Sequence, residues 1–202
     1  MRRFILLLIL TVPSIALAEV VSQSPIQNGS FELDADRDGV PDGWTAAGRG
    51  DIKQKLTVAT DPVRGRVARL ECTAFVAGYP DSHVMLAQND RVGVRSGQWY
   101  RLSLYARAEN METGSVSVAL VNRRRWSPTG LQANFSPTEQ WQRFEFYFRS
   151  TQDLKPDDSR FQIWFSGVGT LFVDDVELVP VAEFHRQWQP QLSPAGVKNA
   201  IP

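Results

Sequence analysis

The chain has 202 residues, with 22 Lys and Arg against 22 Asp and Glu, and 43% of it is hydrophobic. A neutral chain lacks the basic excess that neutralises nucleic-acid phosphates, so no nucleic-acid partner is expected. One cysteine excludes an intrachain disulfide and a zinc site built on several thiolates. Two histidines, His83 and His185, leave few candidates for a general base. Six tryptophans and eleven phenylalanines beside so little reactive chemistry lean towards binding rather than catalysis.

The first eighteen residues carry the layout of a secretory signal peptide. Met1-Arg2-Arg3 is a basic start, Phe4 to Val12 is apolar apart from Thr11, and Ala16-Leu17-Ala18 is a small-x-small cleavage signature. The apolar run is too short to cross about 30 Å of hydrocarbon as a helix. The expected product is secreted or periplasmic, cleaved after Ala18, slightly acidic and without membrane insertion. Cys72 then enters an oxidising compartment unpaired. It falls on an apolar position of an alternating segment, which predicts a buried, inert thiol.

Period two runs through the rest. Val67 to Thr73 and Val84 to Gln88 are the early strands. Leu102, Leu104 and Ala106 alternate with Ser103, Tyr105 and Arg107, and Val116, Val118 and Leu120 with Ser117 and Ala119. Phe144, Phe146 and Phe148 alternate with Glu145 and Tyr147; Phe161, Ile163 and Phe165 alternate with Gln162 and Trp164. Leu171 to Leu178 closes the series. Such alternation, rich in aromatic and β-branched residues, predicts half-buried antiparallel strands. Turn clusters such as Asp61-Pro62, Arg95-Ser96-Gly97 and Ser136-Pro137-Thr138 punctuate them. No capped amphipathic helix is evident. The expected fold is all-β, a two-sheet antiparallel β-sandwich of the jelly-roll kind, over residues 19–180. Residues 181–202 lose the alternation, carry Pro190, Pro194 and Pro202, and read as an extended linker holding Trp188. A further domain is expected downstream.

Four stretches taken together are specific: Asn28-Gly29-Ser30-Phe31-Glu32 with Gly39-Val40-Pro41-Asp42-Gly43-Trp44; Gly97 to Arg107; Trp141-Gln142-Arg143-Phe144; and Leu171-Phe172-Val173-Asp174-Asp175-Val176-Glu177-Leu178. In this order they resemble carbohydrate-binding modules of the family 4, 9 and 22 type, with a galactose-binding-domain-like jelly roll, over roughly residues 25–180. The resemblance implies a glycan groove on one sheet and a structural calcium joining the first strand to the last. Glu32 and one of Asp174 or Asp175 become candidate calcium ligands on that ground. It also implies a polysaccharide or oligosaccharide partner and attachment to a secreted glycoside hydrolase. For Asp174 and Asp175, an acidic strand edge is the alternative.

Ligand chemistry suggests a second calcium locus. Asp34, Asp36 and Asp38 followed by Gly39 have the D-x-D-x-D-G spacing that wraps carboxylates around a hard cation. Asp42 falls at the ninth position of such a loop, but Thr45 replaces the twelfth-position Glu and no helices flank it, so an EF-hand is rejected. A solvated acidic turn is the alternative.

A sugar ring offers an apolar C–H face and a rim of hydroxyls, so its site needs flat exposed aromatics beside polar groups. Trp44, Trp99 and Trp141 sit at turns or strand starts and read as packing residues. Trp164, Tyr105 and Tyr147 are out of phase with their apolar neighbours, as are Arg107, Gln162 and Glu145. Trp126 follows Arg123-Arg124-Arg125, and Tyr79 lies in a Gly-Tyr-Pro-Asp loop. The candidate sugar contacts are therefore Trp126, Trp164, Tyr105, Tyr147, Arg107, Gln162 and Tyr79. Which strands share a face cannot be read from the chain. A non-catalytic glycan-binding module leads; a structural or adhesion spacer is the alternative. An enzyme is third, since Glu145 with Asp153 is an arbitrary carboxylate pair and no G-x-S-x-G is present.

Overall fold

The computed structural model describes residues 24–182. The expected signal peptide, His185, Trp188 and the rest of the expected linker lie outside the described residues. Ten strands follow in order: β1 (Thr45–Ala47), β2 (Lys53–Asp61), β3 (Gly65–Ala74), β4 (Val84–Asn89), β5 (Trp99–Glu109), β6 (Val116–Asn122), β7 (Ser127–Phe135), β8 (Gln142–Arg149), β9 (Ser159–Phe165) and β10 (Gly169–Val181). One 3-10 turn, Pro156–Asp158, precedes β9. Val181, grouped with the tail by composition, is the last residue of β10. No described helix is long and apolar enough to cross a membrane.

The strands form two five-stranded sheets, ordered β1-β4-β9-β6-β7 and β2-β3-β10-β5-β8, with antiparallel pairing throughout. This is the expected β-sandwich. Alternate residues point inward because successive side chains on a strand face opposite ways. Leu102, Leu104, Phe144, Phe161, Ile163 and Leu171 are each fully buried in the shared core. Phe135 of β7 meets Phe144 of β8 with ring centroids 4.6 Å apart, tying one sheet to the other. Cys72 is buried, and burial pushes its thiol up, in keeping with an inert role.

Three strands were not evident in the sequence. β1 is three residues long. β2 holds one fully buried apolar side chain, Leu56, and starts with lysines. β7 contains Pro128 and Gly130, which read as turn residues. As an edge strand, β7 tolerates a proline that would break a central ladder.

The segment before β1 closes the sandwich without joining a ladder. The Asn28 side chain donates to the carbonyls of Leu33 and Asp42 and accepts from the Leu33 N–H. Trp44 Nε1 donates to the carbonyls of Gln27 and Asn28, while its ring packs on Phe31 and Phe161. Gln88, fully buried on β4, exchanges two hydrogen bonds with the Gln27 backbone. Val176 N–H donates to Gly29 carbonyl at 2.9 Å, where a bulge interrupts the pairing of β10 with β5. That bulge flips the phase of β10, so Val173 and Val176 both point inward.

Phe144→Ala removes the ring that bridges the sheets. The expected loss in urea unfolding is about 3–5 kcal/mol, as for other fully buried aromatics.

Candidate functional site

Core packing decides which residues of β9 are left outside. Phe161, Ile163 and Phe165 are buried, so Arg160, Gln162 and Trp164 point outward. In an antiparallel ladder, directly opposed residues share a face, and this assembles three rows across the sheet. Gln162 lies between Ala87 of β4 and Ala119 of β6, with Thr45 and Gln132 beyond them. Trp164 lies between Met85 and Ser117, continued by Asn134, whose Oδ1 accepts from Ser117 Oγ at 2.7 Å. Arg160 lies between Asn89 and Val121. The middle row is thus low beside its glutamines, with a tryptophan on one side and an arginine on the other. Five strands at about 4.8 Å spacing make such a face about 19 Å across.

The ends of the face are held in place. Trp126 is 64% exposed in the turn between β6 and β7, where Asn122 Oδ1 accepts from the N–H groups of Arg124 and Arg125. Arg123 pairs with Asp90 and Arg124 with Asp158, anchoring that turn to the start of β9. Trp126, Asp90, Asp157 and Asp158 line a hollow there, and the Arg160 guanidinium lies 5.8 Å from the Trp126 ring centroid. Burial, with Arg123 nearby, shifts the Arg160 pKa downward. On the other side, the His83 ring meets Trp164 edge-on at 5.7 Å, and burial lowers its pKa below the usual imidazole value. Upstream of His83, the Tyr79 ring lies beneath the Arg49 guanidinium at 3.7 Å.

Of the expected sugar contacts, Trp126, Trp164 and Gln162 come together, with Tyr79 on the loop leading through His83 into β4. Tyr105, Tyr147 and Arg107 lie on the outer face of the opposite sheet, on β5 and β8. There the chain supplies its own partners. Arg64 covers the Tyr105 ring at 3.7 Å, and Arg107 covers Phe172 at 3.7 Å while pairing with Asp61 and Glu109. Trp141 is half-buried, 5.5 Å from both Arg64 and Arg107. Sequence reasoning passed over Gln132, Asn134 and Arg160. The alternation of β7 would have shown the first two had Pro128 and Gly130 not masked it.

The carboxylates fall into two groups. Asp174, almost fully buried, takes Arg64 Nε at 2.6 Å, and Asp175 takes Arg64 Nη2. Burial pushes the Asp174 carboxyl up against the pull of Arg64. β10 is the middle strand of its sheet, so an acidic strand edge does not describe these residues. Their charge is met by a guanidinium of the chain itself, and this donor set does not fit a divalent cation; Glu32 is exposed beside the turn. In the loop before β1, one oxygen each from Asp34, Asp36 and Asp42 lies within 4.8 Å of the others. Asp34 Oδ1 is buried without a hydrogen-bond partner. Asp38 stands outside this trio and instead caps Val40 N–H at 2.7 Å.

The described residues thus form an all-β sandwich whose β1-β4-β9-β6-β7 face carries Trp164, Gln162 and Arg160. Residues 23–167 match the family described as Carbohydrate binding domain, and the chain belongs to that family. No curated protein sequence matches. Among solved structures, the fold is similar to a family 4 carbohydrate-binding module at 20% identity and TM-score 0.55, over 70% of this chain and 96% of that one. It is also similar to the N-terminal cellulose-binding domain of Cellulomonas fimi β-1,4-glucanase C, at 21% identity and TM-score 0.52, over 73% and 94%. An arabinose-bound α-L-arabinofuranosidase matches at 15% identity and TM-score 0.62 over 78% of this chain, which spans about a quarter of that enzyme's length.

Arg64→Met strands the Asp174 carboxylate in the sandwich. The expected cost is about 3–5 kcal/mol, as for other broken buried pairs. Asp174→Asn in the same background should recover part of it in denaturant titrations.

Proposed function

We propose that the chain binds a polysaccharide non-catalytically across the outer face of β1-β4-β9-β6-β7. The observation that carries this is the pairing register, which sets Trp164 and Gln162 on one face beside the exposed Trp126, over a floor lowered by Ala87 and Ala119. Tryptophan rings stack on the C–H faces of sugars, and the amides of Gln162, Gln132 and Asn134 exchange hydrogen bonds with hydroxyls. A sheet face about 19 Å across suits a polymer better than a small molecule. Glycoside hydrolysis uses two carboxylates flanking the scissile bond, and the three rows carry none among the described residues. The accompanying proposal is an exported accessory module that concentrates a linked enzyme on its substrate by effective concentration. The basic-apolar-small start of the chain supports export.

Trp126→Ala and Trp164→Ala should each weaken binding in affinity electrophoresis by about tenfold or more, equivalent to about 1.4 kcal/mol. Tyr105→Ala and Tyr147→Ala should leave it unchanged. Full binding by a folded Trp126→Ala/Trp164→Ala double variant would place the site elsewhere. A folded wild-type chain that retains no polysaccharide would favour the spacer.

Calcium is proposed in the loop of Asp34, Asp36 and Asp42, supported by their convergence and by the unpartnered Asp34 oxygen. Carboxylate oxygens are the ligands a hard cation selects. After treatment with chelator, added Ca2+ at 100 times its Kd should stabilise the fold by about 2.7 kcal/mol, seen as a rise in Tm. Asp36→Asn should abolish that rise. An unchanged Tm in the wild-type protein would remove the metal.

A further inference from the structure

Every carboxylate ion pair among the described residues is made by an arginine, and one arginine breaks the pattern. Among the described residues, every arginine other than Arg160 is either ion-paired or exposed to solvent. Arg160 is neither. It is partly sheltered on the middle strand of the candidate binding face, with no described carboxylate within ion-pair distance. Its Nε is buried without a hydrogen-bond partner. Its Nη2 donates to Met85 Sδ at 2.9 Å, and a thioether is a weak acceptor. Nearby, Arg123 holds Asp90 and Arg124 holds Asp158, and the exposed Asp157 lines the same hollow.

A cation withdrawn from water with no counter-charge is unfavourable, and folds meet that cost by pairing it. This molecule does so at Arg64, where two carboxylates and an aromatic ring surround the guanidinium. At Arg160 the aromatic ring of Trp126 is present and the carboxylate is absent. Arg160 lies on the same face as Gln162 and Trp164, where the bound polymer would run.

We propose that this face takes a glycan bearing carboxylates, a uronate polymer, and that Arg160 pairs with one of them while Trp126 stacks on a neighbouring sugar ring. This rests on the binding reading above and narrows its substrate class. A guanidinium presents a planar fork that matches a carboxylate in two parallel hydrogen bonds. Vicinal hydroxyls of a neutral sugar also accept from that fork but leave its charge unbalanced. The three rows themselves carry no carboxylate. Asp90 and Asp158 in the hollow beside Trp126 are held by Arg123 and Arg124, and Asp157 is the acidic group there that an anionic ligand must pass.

The test uses the purified chain with polygalacturonate, polyglucuronate and polymannuronate, each beside the same polymer after carboxyl reduction. Affinity electrophoresis or calorimetry should show at least one uronate polymer bound about tenfold or more tighter than its reduced counterpart. That preference should shrink with added salt, as charge pairing does. Arg160→Gln keeps hydrogen-bonding capacity without charge and should erase the preference, while Arg160→Lys should keep part of it. Unchanged melting temperatures show that both variants fold. Preference for neutral polymers, equal affinity for both members of each pair, or a preference that survives Arg160→Gln overturns the proposal and leaves polysaccharide binding standing. Failure of the folded wild type to bind these polymers or neutral xylan and β-glucan overturns both.

Discussion

The candidate face exists because β9 is held by its apolar side. Phe161, Ile163 and Phe165 enter the core at every second position, and Trp44 seals against Phe161 from the segment before β1. With those side chains committed inward, Arg160, Gln162 and Trp164 have one direction left. A slip of one residue would put three aromatic or aliphatic side chains in water and a guanidinium in the core, which fixes the register strongly. Neighbouring strands then inherit the arrangement through their backbone pairing, and Ala87 and Ala119 fall on either side of Gln162.

The two outer faces differ in how they treat charge. On the β2-β3-β10-β5-β8 sheet, Arg64 and Arg107 lie over Tyr105 and Phe172, near Trp141, and take Asp174, Asp175, Asp61 and Glu109 as partners. Those contacts are internal, so this surface is closed upon itself and also ties the turn before β3 to the bulge in β10. On the opposite sheet the polar groups are amides and hydroxyls, and Arg160, sheltered among the described residues, has no ion pair. A surface whose hydrogen-bonding groups await a partner recognises ligands; one whose groups are mutually satisfied stabilises the fold.

The segment before β1 links these two roles. Asn28 braces the acidic loop through the Leu33 and Asp42 carbonyls, while Gly29 meets the bulge of β10 at Val176. A side chain at position 29 would place its Cβ 2.0 Å from the Val176 carbonyl oxygen, so glycine is required by close approach. The Asn-Gly motif that marks the sequence resemblance is therefore a joint between the start and the end of the fold.

By itself the sequence determined the all-β class, seven of the strands and the outward phase of Gln162, Trp164, Tyr105, Tyr147 and Arg107, because period two is a local property of each segment. The short β1, the lysine-led β2 and the proline-bearing β7 escaped because their stability comes from pairing with neighbours. Composition and neutral charge pointed away from nucleic acid, and loose motifs in the right order pointed to a carbohydrate-binding family. Which outward residues share a face was decided only by strand order, a non-local choice that placed Tyr105 and Tyr147 opposite Trp164. The fate of each charge was also tertiary. Arg64 reaches Asp174 across 110 positions of chain, and no local pattern announces such a pair. The isolation of Arg160 is tertiary too, because Asp90 and Asp158 nearby are taken by arginines from another turn.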